Sequence, residues 1–152
     1  MAIQIPNYAN IALLTRALSQ GGGSSLSLHL YTNVISLTGI NTSSDTSGGP
    51  FALSNFTEAS YTGYSAIALA NASWAITPNF TTTPNVANGA FSGSAPTFTV
   101  STTGTLQNIQ GYYVTDVQSS ANVLLWFEPF SSPKAMQYAG DNIIIVPNFT
   151  GV

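Results

Sequence analysis

The sequence LSLHLYT at residues 26–32 gives the clearest indication of the fold. Its leucines occupy positions 26, 28 and 30, and Ser27, His29 and Tyr31 lie between them. Successive side chains of a strand point to opposite faces, so this alternation indicates one apolar and one more polar face. The stretch therefore predicts a half-buried β-strand that opens a β domain.

Further along the chain, segments of alternating or β-branched residues separated by polar turns predict more strands. They cover residues 59–70, 72–76, 90–91, 97–101, 109–117, 123–129 and 142–149. In the last of these, the uninterrupted apolar run from Ile143 to Val146 predicts burial on both faces. Pro129 and Pro147 have no backbone N–H, so they are expected at strand ends or on edge strands. Many short strands in succession predict an all-β sandwich or barrel.

The N-terminal segment is the part of the chain that predicts a helix. Residues 8–19 follow Asn7, a suitable cap, and precede the glycines at 21–23. Tyr8, Ile11 and Leu14 share one face, and an isolated helix of about 12 residues is marginal in water. That face is therefore expected to pack either on its own domain or on another subunit, and these three are the candidate protein-contact residues. We predict residues 1–23 as a helix or arm and residues 24–152 as a β-sandwich domain.

Composition limits the possible partners. Only 5% of the residues are charged, against about 25% in an average soluble protein. The two basic residues, Arg16 and Lys134, are too few to neutralise nucleic-acid phosphates, so nucleic acid is not an expected partner. No stretch approaches the roughly 20 apolar residues of a membrane-spanning helix, and the start shows no signal-peptide pattern. We therefore expect that the protein is synthesised in a cytoplasm and is not inserted into a membrane. The sequence contains no cysteine, which excludes disulfide bonds.

Few residues are candidates for catalysis. The only histidine, His29, lies on the polar side of the first strand with no Gly-x-Ser-x-Gly elbow nearby, so local hydrogen bonding is favoured over a Ser-His-Asp triad. A hydrolase with paired carboxylates would need Glu58 beside Glu128 or Asp116, and the sequence does not place them together. We therefore predict no catalytic residue.

Candidate cation ligands are equally sparse. They are Asp45, in the stretch DTSGG, and Asp141 beside Asn142. Neither matches the alternating acids of a calcium loop, and Asp141 after Gly140 is typical of a turn. We predict no metal and no cofactor.

Two pairs of adjacent aromatic residues lie in predicted strands: Tyr112 with Tyr113, and Trp126 with Phe127. Neighbours on a strand point in opposite directions, so the two members of a pair cannot enter the same core. One member of each pair is expected on the other face of the sheet or in an interface. Core packing is the favoured explanation for most aromatics, with subunit contact or sugar stacking for the others.

Several short motifs occur in a distinctive order. They are LYTN at 30–33, FTEA at 56–59, YTGY at 61–64, Trp74, GYYV at 111–114, LLWFE at 124–128 and GD at 140–141. This succession resembles a group of small tailed-phage structural proteins, including head-decoration or cement proteins with jelly-roll-like domains. The resemblance covers roughly residues 26–150, without most of the polar stretch at 39–55. It implies a protein that sits on an assembled capsid and reinforces contacts between major capsid subunits, and it brings no catalytic residues.

We therefore expect a non-enzymatic virion protein: a jelly-roll-like β-sandwich with a short N-terminal helix, bound to the major capsid protein on the capsid surface as a dimer or trimer. Weak contacts repeated over a lattice would stabilise the shell. The alternative is a tail or tail-fibre module that recognises a host surface glycan through exposed aromatics and a long loop at 39–55. A third hypothesis, a carboxylate-dependent glycan hydrolase, requires two acids about 5 to 10 Å apart in a cleft.

Overall fold

The computed structural model describes residues 26–35, 53–70, 73–79, 86–118 and 121–151. In this part the chain is all-β, with nine strands and a short 3₁₀ helix at Leu53–Asn55. The strands are β1 (Leu26–Tyr31), β2 (Ile67–Leu69), β3 (Trp74–Asn79), β4 (Val86–Phe91), β5 (Thr97–Thr99), β6 (Gln107–Gln118), β7 (Ala121–Met136), β8 (Asn142–Ile144) and β9 (Asn148–Gly151).

The chain divides into two compact units. Within the described residues, the first unit comprises Leu26 and residues 68–70, 73–79, 86–96 and 144–151, and the second comprises residues 27–35, 53–67, 97–118 and 121–143. The described strands form a four-stranded sheet with the order β2-β1-β6-β7, a three-stranded sheet β3-β4-β9 and a two-stranded sheet β5-β8. The pairs β1–β6, β6–β7, β3–β4 and β4–β9 are antiparallel.

The strand predicted at residues 26–32 is confirmed as β1, with its three leucines buried. Its other face is less exposed than the alternation predicted. Tyr31, on that face, is buried and lies edge-on to Phe56 at 5.2 Å, and Phe56 in turn contacts Tyr113 at 5.0 Å between ring centroids. These three aromatics form a cluster that covers the end of β1. The strand is buried on both faces there because Phe56 arrives from a distant segment that periodicity does not reveal.

The adjacent tyrosines of β6 are both buried, on opposite faces. Tyr113 enters the aromatic cluster, whereas Tyr112 packs near Phe130, with ring centroids 6.4 Å apart. The opposite-face alternative of the sequence analysis therefore accounts for this pair. Both faces of β6 are covered at this point of the second unit.

The β6–β7 ladder is irregular at Gly111, where the register shifts. A Cβ at Gly111 would contact the Glu128 carbonyl oxygen and would lie 2.6 Å from the Tyr31 hydroxyl. Gly111 lies opposite Pro129 in the ladder, and β7 is an edge strand of the four-stranded sheet that the described residues form. The edge position expected for Pro129 is confirmed, since an edge strand can leave one backbone position without a ladder bond.

In the first unit, Trp74 and Phe91 are directly opposite each other in the β3–β4 ladder and form a T-shaped pair at 5.5 Å. Pro147 is buried and immediately precedes β9, which confirms its predicted place at a strand end. Its carbonyl oxygen accepts a 3.0 Å hydrogen bond from the Phe91 amide.

The strand predicted at 59–70 is wrong for most of its length, since β2 is confined to Ile67–Leu69. A turn interrupts the segment: the Tyr64 amide donates to the Tyr61 carbonyl oxygen at 3.0 Å, and Gly63 has a φ of 95°. That backbone conformation favours glycine. The Thr62 carbonyl oxygen accepts a hydrogen bond from the Ser101 amide, outside the turn. The glycine in YTGY was the local signal for this break.

The single strand predicted at 142–149 is also wrong, because β8 ends at Ile144 and β9 begins at Asn148. The apolar run is not buried on both faces. Ile143 and Ile145 are buried, whereas Ile144 and Val146 are exposed. The period of two of extended backbone therefore overrides the uniform hydrophobicity of the run. The other predicted strands, at 72–76, 90–91, 97–101, 109–117 and 123–129, overlap β3 to β7 with shifted ends.

Two predicted features lie outside the described residues: the N-terminal helix or arm with Tyr8, Ile11 and Leu14, and the loop at 39–55 as far as residue 52. Residues 53–55 of that loop form the 3₁₀ helix. No helix in the described ranges is long and apolar enough to cross a membrane.

Candidate functional site

His29 lies at the centre of a polar cluster in the second unit. Its Nδ1 is 2.8 Å from Oε1 of Glu58, and its Nε2 is 3.0 Å from Oγ1 of Thr115. An ionised carboxylate only accepts hydrogen bonds, so Nδ1 carries the hydrogen of the first bond. In the neutral imidazole, Nε2 then accepts from the Thr115 hydroxyl. The ring thus joins a hydroxyl to a carboxylate.

Strand pairing positions two of these side chains. His29 is directly opposite Tyr113 in the β1–β6 ladder, and Ser27 is opposite Thr115. Because side chains alternate between faces, Tyr113 and Thr115 point to the same side of β6 as His29 does from β1. The diagonal distance between such neighbours is within reach of an imidazole.

Glu58 reaches the cluster from the segment that follows the 3₁₀ helix. It forms an isolated antiparallel bridge with Tyr31, and the adjacent Ala59 amide donates to the Leu30 carbonyl oxygen at 3.0 Å. Its Oε1 also accepts a 2.7 Å hydrogen bond from the Tyr64 hydroxyl. The backbone bridge therefore holds the carboxylate beside the end of β1.

The charge of Glu58 is stabilised by its donors. Burial by itself raises the pKa of this carboxyl, but hydrogen bonds from His29, Tyr64 and Tyr113 outweigh it and hold the pKa below its usual value. Burial, and then the proximity of Glu58, raises the pKa of Tyr64 and of Tyr113 above that of a free phenol. At neutral pH the cluster therefore contains one carboxylate that accepts hydrogen bonds from protonated phenols.

Thr115, His29 and Glu58 form the hydroxyl–imidazole–carboxylate order of a Ser-His-Asp triad. The surroundings differ from those of a catalytic site. Thr115 is only 2% exposed, and the His29 ring is stacked on Tyr113. A substrate carbonyl therefore has no open approach to the Thr115 oxygen. The structure shows the local hydrogen bonding that the sequence favoured for His29, and the cluster ties β1, β6 and the 58–64 segment together.

The candidate carboxylates have different partners. Glu128 Oε2 accepts a 2.5 Å hydrogen bond from the Tyr112 hydroxyl, whereas Glu58 is bonded to donors that include Tyr113. These two tyrosines point to opposite faces of β6. Asp116 lies farther along β6, three residues beyond Tyr113. The structure thus gives Glu58 and Glu128 separate hydrogen-bond partners.

No group of three or more His, Cys, Asp or Glu side chains suited to a metal ion occurs in the described part of the chain. Asp45 lies outside it. Asp141 stabilises a turn: its Oδ2 accepts hydrogen bonds from the amides of Gln137 at 2.9 Å and Tyr138 at 2.8 Å, which lower its pKa. The turn interpretation of Asp141 is confirmed.

The second unit also contains a polar groove, which we call the Ser60–Gln107 groove. It consists of two open cavities of about 240 and 420 Å³ that share these two residues. The Ser60 amide donates to Gln107 Oε1 at 2.9 Å, and Gln107 Nε2 donates to Ser60 Oγ at 2.8 Å. This reciprocal pair fixes the wall between the cavities. Glu58 lines the larger cavity, and its side chain is 43% exposed.

The sequence identified His29 and Glu58 as separate candidates but not their contact, and it missed Thr115 and Tyr64 as partners. His29 and Thr115 are 86 positions apart, so only the pairing of β1 with β6 brings them together. The YTGY motif is one of those that carry the resemblance, and its second tyrosine is the hydrogen-bond donor to Glu58. The groove had no sequence signal beyond the abundance of Ser, Thr and amide residues.

Comparisons with known proteins yield no relative. The chain matches no protein-family model, no curated protein and no solved structure.

Proposed function

We propose that this chain is a non-enzymatic structural protein of a tailed-phage virion, a decoration or cement protein that binds the major capsid protein on the capsid surface and stabilises the shell. The order of motifs between residues 30 and 141 supports this function, as does the all-β structure of the described residues. A jelly-roll-like sandwich with a short N-terminal helix, assembled as a dimer or trimer, is part of the same proposal. Tyr8, Ile11 and Leu14 are its N-terminal contact residues.

The observation that carries the proposal is an exposed apolar pair, Ile144 and Val146. Their exposed fractions are 62% and 58%, and they alternate with the buried Ile143 and Ile145. Burial of such side chains against another protein contributes about 25 cal/mol per Å² of apolar surface. In a chain with 5% charged residues, little electrostatic repulsion opposes that contact.

A small apolar contact serves a lattice protein well. One contact of this size is too small for a stable isolated complex, since specific interfaces bury about 1,200–2,000 Å². A dimer or trimer that contacts several capsid subunits at once gains from effective concentration. Binding to the assembled shell and not to unfolded subunits then stabilises the shell by mass action.

Co-sedimentation with undecorated capsids of the encoding phage tests this function. The expected result is saturable binding in a fixed ratio to capsid subunits, together with a higher melting temperature of the shell. The double variant Ile144→Ser, Val146→Ser should fold normally and bind more weakly. Val34→Ser is the matched control, because Val34 is 79% exposed and belongs to another segment of the chain, directly after β1. Absence of wild-type binding would refute the proposal, and equal losses in the variant and the control would exclude the apolar pair as the contact.

A further inference from the structure

The lining of the Ser60–Gln107 groove consists largely of neutral groups that both donate and accept hydrogen bonds. Hydroxyl groups come from threonines and a serine, and carboxamides come from glutamines and an asparagine. Among these side chains are Thr62, Thr102, Thr105, Gln107, Asn108 and Gln137. Such groups match a ligand whose own groups alternate between donor and acceptor, as the hydroxyls of a sugar do.

The charge of the groove excludes other classes of ligand. Among its lining residues, Glu58 is the only ionised group, and neither Lys nor Arg is present. Phosphate, sulfate and carboxylate ligands would meet a carboxylate with no cation to balance it. An apolar ligand would leave the hydroxyls and carboxamides without partners. A neutral polyhydroxylated ligand meets neither obstacle, and its hydroxyls can donate to Glu58.

The phenol of Tyr61 gives a second, independent indication. Tyr61 lines the smaller cavity and is 7% exposed, and its hydroxyl is buried without a hydrogen-bond partner in the described structure. A buried polar group of this kind is uncommon and costly. If the phenol turned toward the cavity that it lines, the hydroxyl of a bound ligand would supply the missing bond.

One exposed apolar side chain belongs to the lining of the groove, and another directly follows a lining residue in the chain. Tyr138 is 61% exposed and follows Gln137, a lining residue, in the chain. Leu106 is 47% exposed and lines the larger cavity. A sugar ring has C–H faces as well as hydroxyls, so a site for it combines hydrogen-bonding groups with an aromatic or aliphatic platform.

We propose that the Ser60–Gln107 groove is a binding site for a neutral oligosaccharide. The Gln107 and Gln137 carboxamides and the threonine hydroxyls contact the sugar hydroxyls, and Tyr138 packs against a sugar ring. The residues that line this site do not include Ile144 and Val146, the apolar pair on which the proposed function rests. The chain can therefore bind a surface glycan whether or not it binds a capsid.

The test is an array of immobilised neutral and acidic glycans probed with the full-length protein, followed by calorimetric titration with the free form of the best neutral oligosaccharide. Wild-type protein is expected to bind neutral glycans saturably. Gln137→Ala and Tyr138→Ala should each raise the Kd about tenfold, the change that corresponds to roughly one hydrogen bond or ring contact. Gln107→Ala should have a larger effect, because it also releases Ser60.

Asn122→Ala is the matched control, since Asn122 is an exposed amide on β7 that does not line the groove. It should bind as wild type does. Thermal unfolding of every variant shows whether a loss of binding is caused by a loss of folding. If Gln107→Ala is unfolded, Gln137→Ala and Tyr138→Ala still test the proposal. Preference for acidic glycans, no binding to any neutral glycan, or unchanged Kd in both Gln137→Ala and Tyr138→Ala would overturn the proposal. The Ile144→Ser, Val146→Ser variant should still bind glycan, so the two proposals can fail separately.

Discussion

The imidazole of His29 lies flat on the phenol ring of Tyr113, with ring centroids 4.6 Å apart and planes 3° from parallel. The two residues are directly opposite each other in the β1–β6 ladder, so the stack is a cross-strand pair. A ring stacked on its face makes hydrogen bonds at its edge, where Glu58 and Thr115 are located. The strand register therefore orients both hydrogen bonds, and the cluster is expected to respond to substitution as one unit.

Replacement of Thr115 by valine should destabilise the protein. Valine has nearly the same shape, but it removes the hydroxyl that bonds His29 Nε2 in a site that is 2% exposed. The expected loss is about 1 kcal/mol of unfolding free energy, the usual net value of such a bond. Urea unfolding followed by circular dichroism measures it. Thr99→Val, at an exposed position of β5, is the control and should change stability by less than about 0.5 kcal/mol. Equal effects of the two substitutions would contradict the stabilising role of the Thr115 hydroxyl.

Stability should fall in acid through Glu58. Its pKa in the folded protein lies below the usual value: burial alone would raise it, but its hydrogen bonds outweigh burial. A carboxyl with a depressed folded pKa contributes stability that is present above its unfolded pKa, about 4.3, and is lost as the pH falls through the folded pKa. Glu58→Gln should therefore be less stable than wild type at neutral pH, and the difference should shrink in acid. Urea unfolding at a series of pH values measures this, and a constant difference at every pH would count against the assignment.

The local features of this fold were predictable, because neighbouring residues determine them. The alternating leucines identified β1, and Asp141 beside Gly140 identified a turn. The many serines and threonines of the sequence are typical of a polar surface, but they do not show where on that surface the side chains converge.

The candidate site was not predictable, because it depends on pairings between distant segments. His29 is 29 positions from Glu58 and 86 from Thr115, and no local pattern specifies which strands pair. The exposure of Ile144 and Val146 was missed for a related reason. An apolar run shows that a strand has two apolar faces, but only tertiary structure shows whether both are covered.

Tyrosine ionisation should be delayed in the native protein. Burial, followed for Tyr31 by the charge of Glu128, raises the pKa of Tyr31 to about 12, and burial raises that of Tyr61 to about 12. The pKa values of Tyr64, Tyr112 and Tyr113 are raised as well, with burial the largest cause. Groups with a raised folded pKa contribute stability below the unfolded pKa, about 10 for a phenol, and lose it as the pH rises through the folded value.

Phenolate absorbance during an alkaline titration measures this effect. The native protein should develop most of its phenolate signal at a higher pH than the same chain in urea, and unfolding should accompany the rise. The urea-unfolded chain, in which all seven tyrosines are solvated, is the control. Superimposable titration curves would show that the five phenols are not buried as described.

Gly111→Ala should be strongly destabilising, and Gly104→Ala should not. A Cβ at Gly111 would meet the Glu128 carbonyl oxygen and the Tyr31 hydroxyl, and the first of these is backbone that cannot move without disturbing the β6–β7 ladder. Overpacking of this kind typically costs about 1–3 kcal/mol. At Gly104 the nearest atom would be 3.8 Å away, an ordinary contact. Because both variants add one methyl group, the difference between their urea midpoints isolates the close approach at Gly111. If the two midpoints coincide, the tight passage of β7 over Gly111 is not part of the folded structure.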